Sequence, residues 1–347
     1  MNLKMLTINN IKINNNSAPL IIPEIGINHS GILENAFKIV DSAKRAGAKI
    51  IKHQTHIPDD EMSLEAKKIS PGNSKKNIYE IIKKNSLNEE DEFKLFKYVE
   101  SKNMVFLSTP FSRAAVDRLT KFNIPAFKIG SGEMSNFPLL EHICKVKKPL
   151  IVSTGMHSIN EVKKTYEFLK KKKINFALLH TTNLYPSSDN LLRLNAIKEM
   201  QRKFPDKLIG LSDHTSDLLS SIIAMSMNVK IIEKHFVHNK KVKGPDISAS
   251  IDEKQLKELI NVSQRIMTQM KGSKTKIKAE QVTRNFAFAS VVAIKQINKG
   301  EKLTKNNLWV KRPGNGYFNS ERLKDLFGRT AKQLIKDNTQ IKKNDIK

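Results

Sequence analysis

Short apolar runs recur through the first 235 residues of the chain, and each run ends in polar residues. This pattern is typical of strands that are buried on both faces of a parallel sheet. The runs fall at 20–27, 49–54, 104–109, 126–130, 150–154, 176–180, 208–214 and 229–235. The segments between them carry apolar residues at helical spacing, as Ala36, Val40 and Ala43 do. Strands and helices that alternate in this way predict a closed (β/α)8 TIM barrel, with an open doubly wound sheet as the alternative.

The last part of the chain has a different pattern. Its signals are residue alternation at 290–294, a strand-like run at 308–310 and turns at 298–301 and 313–316. Together they predict a small β-rich module. We therefore expect a barrel domain at 1–270, a charged linker at 271–285 and the module at 286–347. A module of about 60 residues is only marginally stable alone, so it should pack on a barrel, its own or a partner's.

A barrel should gather its functional side chains at the carboxyl ends of its strands. Each of the eight predicted strands has polar residues at or just after its carboxyl end, as a barrel enzyme requires. In strand order they are Glu24, Asn28 and His29; Lys52 to Thr55; Ser108 and Thr109; Lys128, Ser131 and Glu133; Ser153 and Thr154; His180 and Asn183; His214; and His235. The long polar loop at 56–77 interrupts the rhythm near these ends, and such loops are often lids or binding elements.

The last two predicted strands each end in a histidine. If the strands are neighbours, His214 and His235 could hold a transition-metal ion, with Ser212, Asp213, Glu233 or water as further partners. The alternative is that each imidazole caps its own strand and bonds locally.

Other strand-end residues suit a phosphate group. Lys52 and Lys128 supply charge, while Ser131, Ser153 and the Gly-containing turns supply hydroxyl and backbone donors. Glu24 stands among apolar neighbours, so a raised pKa and proton exchange with a reacting oxygen are expected of it. Spacing alone therefore predicts a metal-assisted aldol-type or phosphate-releasing enzyme that acts on a phosphorylated small molecule.

The formal charge of +27, from 61 basic and 34 acidic residues, raises nucleic-acid binding as a different class of function. Lysines are spread through nearly every segment, however, without interleaved aromatic residues that could stack on bases. A basic RNA-binding protein stays the non-enzyme alternative, and we expect no nucleic-acid partner. The apolar runs are too short for a membrane span, which needs about 20 residues. Cys144 is the only cysteine, and the N-terminus shows no signal-peptide core, so a reducing cytoplasm is expected.

Longer motifs carry a family resemblance. They are EIGINHSG at 24–31, IKHQT at 51–55, LSTPF at 107–111, KIGSGE at 128–133, STGM at 153–156, LSDH at 211–214, EKHF at 233–236, GPD at 244–246 and KRPG at 311–314. In this order the chain resembles the N-acetylneuraminate (sialic acid) synthase family, and its tail resembles the antifreeze-like module (SAF, a β-clip fold) that ends these enzymes. The resemblance covers nearly the whole chain.

The resemblance implies an enzyme of sialic acid biosynthesis. Such a transferase condenses phosphoenolpyruvate with N-acetylmannosamine and water, releasing phosphate by C–O cleavage. His214 and His235 would hold a divalent ion, typically Mn²⁺ with Mg²⁺ or Co²⁺ as alternatives, that polarises the sugar aldehyde. The family also implies a homodimer in which Arg312 of the swapped tail module enters the partner's site.

The same resemblance assigns roles to single residues. Contacts to phosphoenolpyruvate would come from Lys52, Lys128, Ser131, Ser153, Asn183 and Ser212, with Gln54 and Thr109 beside them. Glu24 would serve the proton transfers and Glu133 a positioning role. Tyr185 and Asp246 would bind the sugar hydroxyls, and Asn73 is expected among the substrate contacts.

Some positions depart from the family pattern. Ser30 stands where many relatives have Asn, His53 where many have Phe, and Tyr317 and Phe318 replace smaller residues after the RPG turn. These changes put the acceptor sugar in doubt, because legionaminate and pseudaminate synthases run the same chemistry on diacetamido 6-deoxy sugars. A further alternative is an ice- or ligand-binding module built around the tail.

Overall fold

The computed structural model of the chain describes residues 4–71, 76–242 and 244–347. Two compact units divide the chain, Met1–Lys271 and Gly272–Lys347, and each is described by itself.

The first unit begins with an antiparallel hairpin of β1 (Met5–Ile8) and β2 (Ile11–Asn14). Eight parallel strands follow and close into a barrel: β3 (Leu20–Gly26), β4 (Ile50–Thr55), β5 (Val105–Pro110), β6 (Phe127–Ile129), β7 (Leu150–Ser153), β8 (Phe176–Thr181), β9 (Ile209–Asp213) and β10 (Ile231–His235). The last strand, β10, closes the barrel on β3, where His235 pairs with Glu24. The closed parallel barrel predicted from the apolar runs is confirmed.

Helices surround the strands: α1 (Leu33–Arg45), α2 (Pro58–Glu61), α3 (Ile78–Asn85), α4 (Glu89–Ser101), α5 (Arg113–Lys121), α6 (Phe137–Lys145), α7 (Ile159–Lys171), α8 (Asn195–Lys203), α9 (Leu219–Ser226) and α10 (Glu253–Gln269). Several begin at a side chain that accepts from the backbone three residues on, as Asn88 and Ser112 do. Ser158 and Asp252 form full capping boxes. The expected loop at 56–77 contains α2 and a 3₁₀ turn, Leu64–Lys68.

Side chains alternate between the two faces of the strands, so the apolar core has two layers, one inside the barrel and one between the strands and the helices. On β4, Ile50 points into the barrel and packs with the hairpin, whereas Ile51 packs outward among the helices. Because side chains alternate, Lys52 shares the inner face of Ile50, and His53 shares the outer face of Ile51. The hairpin residues Leu6, Ile8 and Ile13 fill the amino-terminal end of the barrel interior. The opposite end is left for polar side chains.

The second unit contains α11 (Gln281–Ala287) and an antiparallel pair, β11 (Ser290–Ala293) and β12 (Leu308–Lys311). Isolated bridges such as Val292 with Gln340 and Ile297 with Ile335 add further β pairing. Its own apolar core includes Val291, Leu303 and Ile341. The unit is thus the β-rich module predicted from the turns, although residues 281–287, expected in the linker, form a helix.

In the described part of the chain, no helix has the length and apolar character needed to cross a membrane.

Candidate active site

A small cavity of about 120 Å³ lies where the carboxyl ends of the barrel strands meet. It is lined by Glu24, Lys52, Gln54, Thr109, Phe111, Lys128, Gly130, Ser131, Gly132, Ser153, Thr181, Asn183, Tyr185, Ser212, His214, Glu233 and His235. Every barrel strand, or the loop that follows it, contributes to this lining. The fold therefore brings most of the predicted site residues together.

Two buried lysines share one carboxylate in the floor of the cavity. Glu233 Oε1 lies 3.3 Å from Lys52 Nζ and 3.4 Å from Lys128 Nζ, and it accepts a 2.9 Å hydrogen bond from Ser212 Oγ. Lys52 also pairs with Glu24 Oε1 at 2.6 Å. The other oxygen of Glu233 is buried and has no hydrogen-bond partner among the described residues. Positive charge thus surrounds a carboxylate that has one oxygen free.

Burial and mutual repulsion set the charges of this cluster. Burial lowers the pKa of Lys128 to about 8, with a further contribution from Lys52, although Glu233 opposes the change. Burial also disfavours the charged form of Lys52, but the carboxylates of Glu233 and Glu24 outweigh burial and raise the pKa of that lysine. Burial alone would raise the pKa of Glu24, yet His235 and Lys52 lower it far below its usual value. The expectation of a raised pKa for Glu24 is therefore wrong, because it counted apolar neighbours in sequence and not the cations across the barrel.

Hydroxyl and amide groups complete the anion site. Lys128 Nζ donates to Ser153 Oγ at 2.7 Å, and the backbone N–H of Gly155 donates to Ser131 Oγ at 3.0 Å. A Cβ on Gly155 would collide with the Asn183 side chain. The carbonyl oxygen of that side chain is buried without a hydrogen-bond partner in the described residues. Small residues here let the backbone approach the cavity closely.

His214 is held as a neutral imidazole. Its Nδ1 donates to the Thr182 carbonyl oxygen at 2.7 Å, which leaves a lone pair on Nε2, 3.5 Å from Ser212 Oγ. Burial, followed by the charge of His235, lowers the pKa of His214 to about 3. The ring centroids of His214 and His235 are 5.5 Å apart. A neutral imidazole with one nitrogen fixed and the other free is what a metal ligand requires.

The second histidine lies between two carboxylates. His235 Nε2 is 3.7 Å from Glu24 Oε2, and Nδ1 is 3.7 Å from Asp246 Oδ2. Nδ1 is buried without a hydrogen-bond partner among the described residues. Within residues 4–71, 76–242 and 244–347, no group of three or more His, Cys, Asp or Glu side chains is gathered as metal ligands. The two histidines therefore fit a metal site completed by water or substrate, and Asp213 takes no part because it pairs with Lys234 at 3.0 Å.

A larger cavity of about 700 Å³ adjoins the small one, and the two share Gln54, Phe111, Tyr185 and His235. Its remaining lining comes mainly from the loops after β3 and β4, from α3 and from the turn at 244–246: Ile27, Ser30, His56, Glu61, Pro71, Lys76, Ile78, Glu80, Ile81, Ile82, Lys84, Asn85, Gly244, Pro245 and Asp246. Tyr185 stacks on the His214 ring at 4.2 Å between centroids. Burial raises the pKa of Tyr185 well above 10.0, so its phenol stays a hydrogen-bond donor.

The remaining predicted site residues lie elsewhere. Glu133 is part of the turn Ser131–Glu133, where its carboxylate accepts from Asn136 at 2.6 Å and burial raises its pKa. Arg312 is exposed in the second unit. Asn73 lies outside the described residues.

The most important residue that the sequence analysis left without a role at the anion site is Glu233. The signal was available, because Glu233 stands two residues before His235 on β10 and residues two apart share one face of a strand. Phe111, Thr181 and His56 also line the cavities. Phe111 and His56 directly follow strands and Thr181 is the last residue of β8, but no local pattern separated them from ordinary residues at strand ends.

The fold and the site define a class of enzyme, a barrel with a buried lysine anion site beside two histidines, followed by a small β module. Residues 39–276 match the NeuB family and residues 288–347 match the SAF domain. The chain belongs to the NeuB family and is an enzyme of the sugar-acid synthase class. The resemblance to sialic acid synthases and their antifreeze-like module is confirmed.

Several relatives show the range of the family. The chain is 35% identical to N,N'-diacetyllegionaminic acid synthase of Campylobacter jejuni, covering 93% of this chain and 98% of that protein. It is 32% identical to human N-acetylneuraminate-9-phosphate synthase, covering 92% and 90% respectively. Among solved structures, N-acetylneuraminic acid synthetase from Leptospira borgpetersenii in complex with citrate is 28% identical, with a TM-score of 0.74 over 81% of this chain and 95% of that one.

Proposed function

We propose that the enzyme condenses phosphoenolpyruvate with N-acetylmannosamine and water to form N-acetylneuraminate and phosphate. The observation that supports this most strongly is the pair of buried lysines directly beside the two histidines. Phosphoenolpyruvate carries a phosphate and a carboxylate, and Lys52 and Lys128 with the hydroxyls of Ser131, Ser153 and Ser212 offer matching donors. Asn183 and Thr109 line the same cavity.

A divalent ion, for which we propose Mn²⁺, would be held by His214 and His235. When bound, it would supply Lewis-acid polarisation of the acceptor aldehyde. The position of the two histidines supports this assignment. Both line the anion site, and His235 also lines the larger cavity, so the aldehyde could meet phosphoenolpyruvate beside them.

The chain's own residues then direct the bond changes. C3 of phosphoenolpyruvate forms a bond to the aldehyde carbon as the C2–C3 π bond and the aldehyde C–O π bond break. Water adds at C2, and one of its protons passes through Glu24 to the oxygen of the former aldehyde, which becomes a hydroxyl. The tetrahedral intermediate then loses phosphate as its C–O bond breaks, and the remaining proton of the C2 hydroxyl leaves with the phosphate as C2 becomes a keto carbon. Glu24, whose lowered pKa keeps it ionised, is suited to take the proton of the attacking water and not to begin as the acid. Lys52 and Lys128 stabilise the negative charge of the departing phosphate.

The larger cavity would hold the acceptor sugar. Tyr185, Asp246 and Ser30 offer hydrogen-bond partners for hydroxyls, and Ile27 and Ile81 offer an apolar wall for an acetamido methyl group. A diacetamido 6-deoxy sugar, giving legionaminate or pseudaminate, is the second candidate. It is favoured by the identity of 35% to a relative named for N,N'-diacetyllegionaminic acid.

The test is phosphate release from phosphoenolpyruvate in the presence of Mn²⁺, with N-acetylmannosamine and a diacetamido 6-deoxy sugar offered side by side. We expect release only when an acceptor is present, and faster release with N-acetylmannosamine. Faster release with the diacetamido sugar would transfer the assignment to the second candidate. An absence of release with every acceptor would remove the synthase proposal.

We also propose that the enzyme works as a homodimer in which Arg312 of one subunit serves the site of the other. This follows from the family resemblance and accords with the exposure of Arg312. Mixing Arg312→Ala subunits with Glu24→Ala subunits should restore activity, because a hybrid dimer would contain one intact site. Lack of recovery after confirmed subunit exchange would contradict the arrangement.

A further inference from the structure

His56, the first residue after β4, lies beside the reacting centre without a role in the function proposed above. It is only 5% exposed and lines the larger cavity. Its Nδ1 is 2.8 Å from Glu61 Oε2, and its Nε2 is 3.2 Å from Gln54 Oε1. The ring lies parallel to that of Phe111, with centroids 4.2 Å apart and planes 10° apart. Both nitrogens of His56 therefore face oxygen atoms.

The orientation of the Gln54 amide is fixed from its other side. Gln54 Nε2 donates to Glu24 Oε1 at 2.7 Å. An ionised carboxylate only accepts hydrogen bonds, and Glu24 is ionised. If the amide were turned round, its carbonyl oxygen would face the carboxylate of Glu24, and two acceptors would repel each other. The carbonyl oxygen of Gln54 must therefore face His56, so Nε2 of His56 must carry a proton.

The other ring nitrogen faces a carboxylate. Glu61 has no proton to donate when it is ionised, so Nδ1 of His56 must donate to it. A histidine with a proton on both nitrogens is an imidazolium, and the face of Phe111 stabilises such a cation. Asp246 is a further acidic group near His56: burial raises the pKa of Asp246, and His56 is among the groups that oppose this. His29 adds no opposing charge, because burial lowers its pKa well below 6.5.

We propose that His56 is a positioning residue that Glu61 and Phe111 hold as an imidazolium. It fixes the Gln54 amide so that Gln54 donates to Glu24 and aims that carboxylate at the reacting centre. The contacts form a series from Glu61 to His56, from His56 to Gln54 and from Gln54 to Glu24. The effect of this series on turnover rests on the synthase function proposed above. Without His56, the amide can rotate and Glu24 loses its fixed direction.

The kinetic test is a double-mutant cycle on His56→Leu and Gln54→Ala. Each single variant should lower kcat by about tenfold to a hundredfold, as small misplacements of catalytic groups do, while KM for phosphoenolpyruvate stays close to that of wild type. Because both act through one contact chain, the double variant should be no slower than Gln54→Ala. Losses that multiply, or a His56→Leu enzyme as fast as wild type, would overturn the proposal. His142→Leu is the matched control, since that partly exposed histidine on α6 also pairs with a carboxylate, Asp117, at 2.7 Å.

A second measurement needs no turnover and so separates this inference from the proposed function. In ¹⁵N-histidine-labelled enzyme at about pH 8, where a free imidazole is neutral, NMR should show protons on both nitrogens of His56, assigned by its loss in His56→Leu. Glu61→Gln should convert that signal to a neutral imidazole. A neutral His56 in the wild-type protein would overturn the proposal even if the enzyme is active, whereas an inactive enzyme with a charged His56 would refute only the synthase function.

Discussion

Lys128 is expected to give the enzyme an alkaline limit for the use of phosphoenolpyruvate. Burial, with a further contribution from Lys52, lowers the pKa of Lys128 from 10.5 to about 8 against the opposing effect of Glu233. Since one pKa unit corresponds to about 1.4 kcal/mol, the net cost of keeping this lysine charged in the folded protein is about 3 kcal/mol. Below about pH 8 the ammonium is present and the anion site is complete. Above it the charged fraction falls about tenfold per pH unit, and kcat/KM for phosphoenolpyruvate should fall with it.

The assay is kcat/KM for phosphoenolpyruvate across pH 6 to 10 (about two units either side of the expected limit) in wild type and Lys128→Arg. A guanidinium stays charged throughout this range, so the variant should lose the falling limb even if its overall rate is lower. Lys94→Arg, on the exposed side of α4, is the control and should keep the wild-type profile. A flat wild-type profile, or the same falling limb in Lys128→Arg, would show that Lys128 does not set the alkaline limit.

Other variants test the proposed metal ligands and the barrel. His214→Ala and His235→Ala should each abolish metal-dependent turnover with unchanged circular dichroism; full activity in a chelator would contradict the metal role. Gly210→Ala should lower the free energy of unfolding by about 1–3 kcal/mol, because its Cβ would meet atoms of β8 and β10. Urea unfolding measures this against Gly132→Ala, which meets no described atom within 4 Å; equal stabilities would contradict it. Ile13→Ala should cost about 2–5 kcal/mol in the same assay, and no loss would show that the hairpin does not seal the barrel.

The barrel could be predicted from sequence because each strand is buried on both faces and so appears as an apolar run. The β1–β2 hairpin was missed for the opposite reason. Its strands are four residues each, and Leu6, Ile8 and Ile13 are buried in the barrel core, with Ile11 partly buried against them. Its alternation and the Asn9–Asn10 turn were hairpin signals. The hairpin was nevertheless not predicted, because its two short strands differ from the eight longer apolar runs on which the barrel prediction was based.

Site residues could be predicted where functional side chains lie at the carboxyl ends of strands, as Lys52, Lys128 and His214 do. Their charge could not be predicted where it depends on partners across the barrel. Glu24 has apolar neighbours in sequence, yet in space it meets Lys52 and His235, which reverse the direction of its pKa. The roles of Asp246 and Arg312 came only from the family resemblance, because they stand on loops whose positions no local pattern determines.

The proposed reaction joins C3 of phosphoenolpyruvate to the aldehyde carbon of an amino sugar. The most direct test uses phosphoenolpyruvate labelled with ¹³C at C3 and N-acetylmannosamine labelled with ¹³C at C1, with Mn²⁺ present. We expect a product in which NMR shows one-bond coupling between the two labelled carbons, formed in step with phosphate. Phosphate released with labelled pyruvate, and no carbon–carbon coupling with this or a diacetamido acceptor, would contradict it.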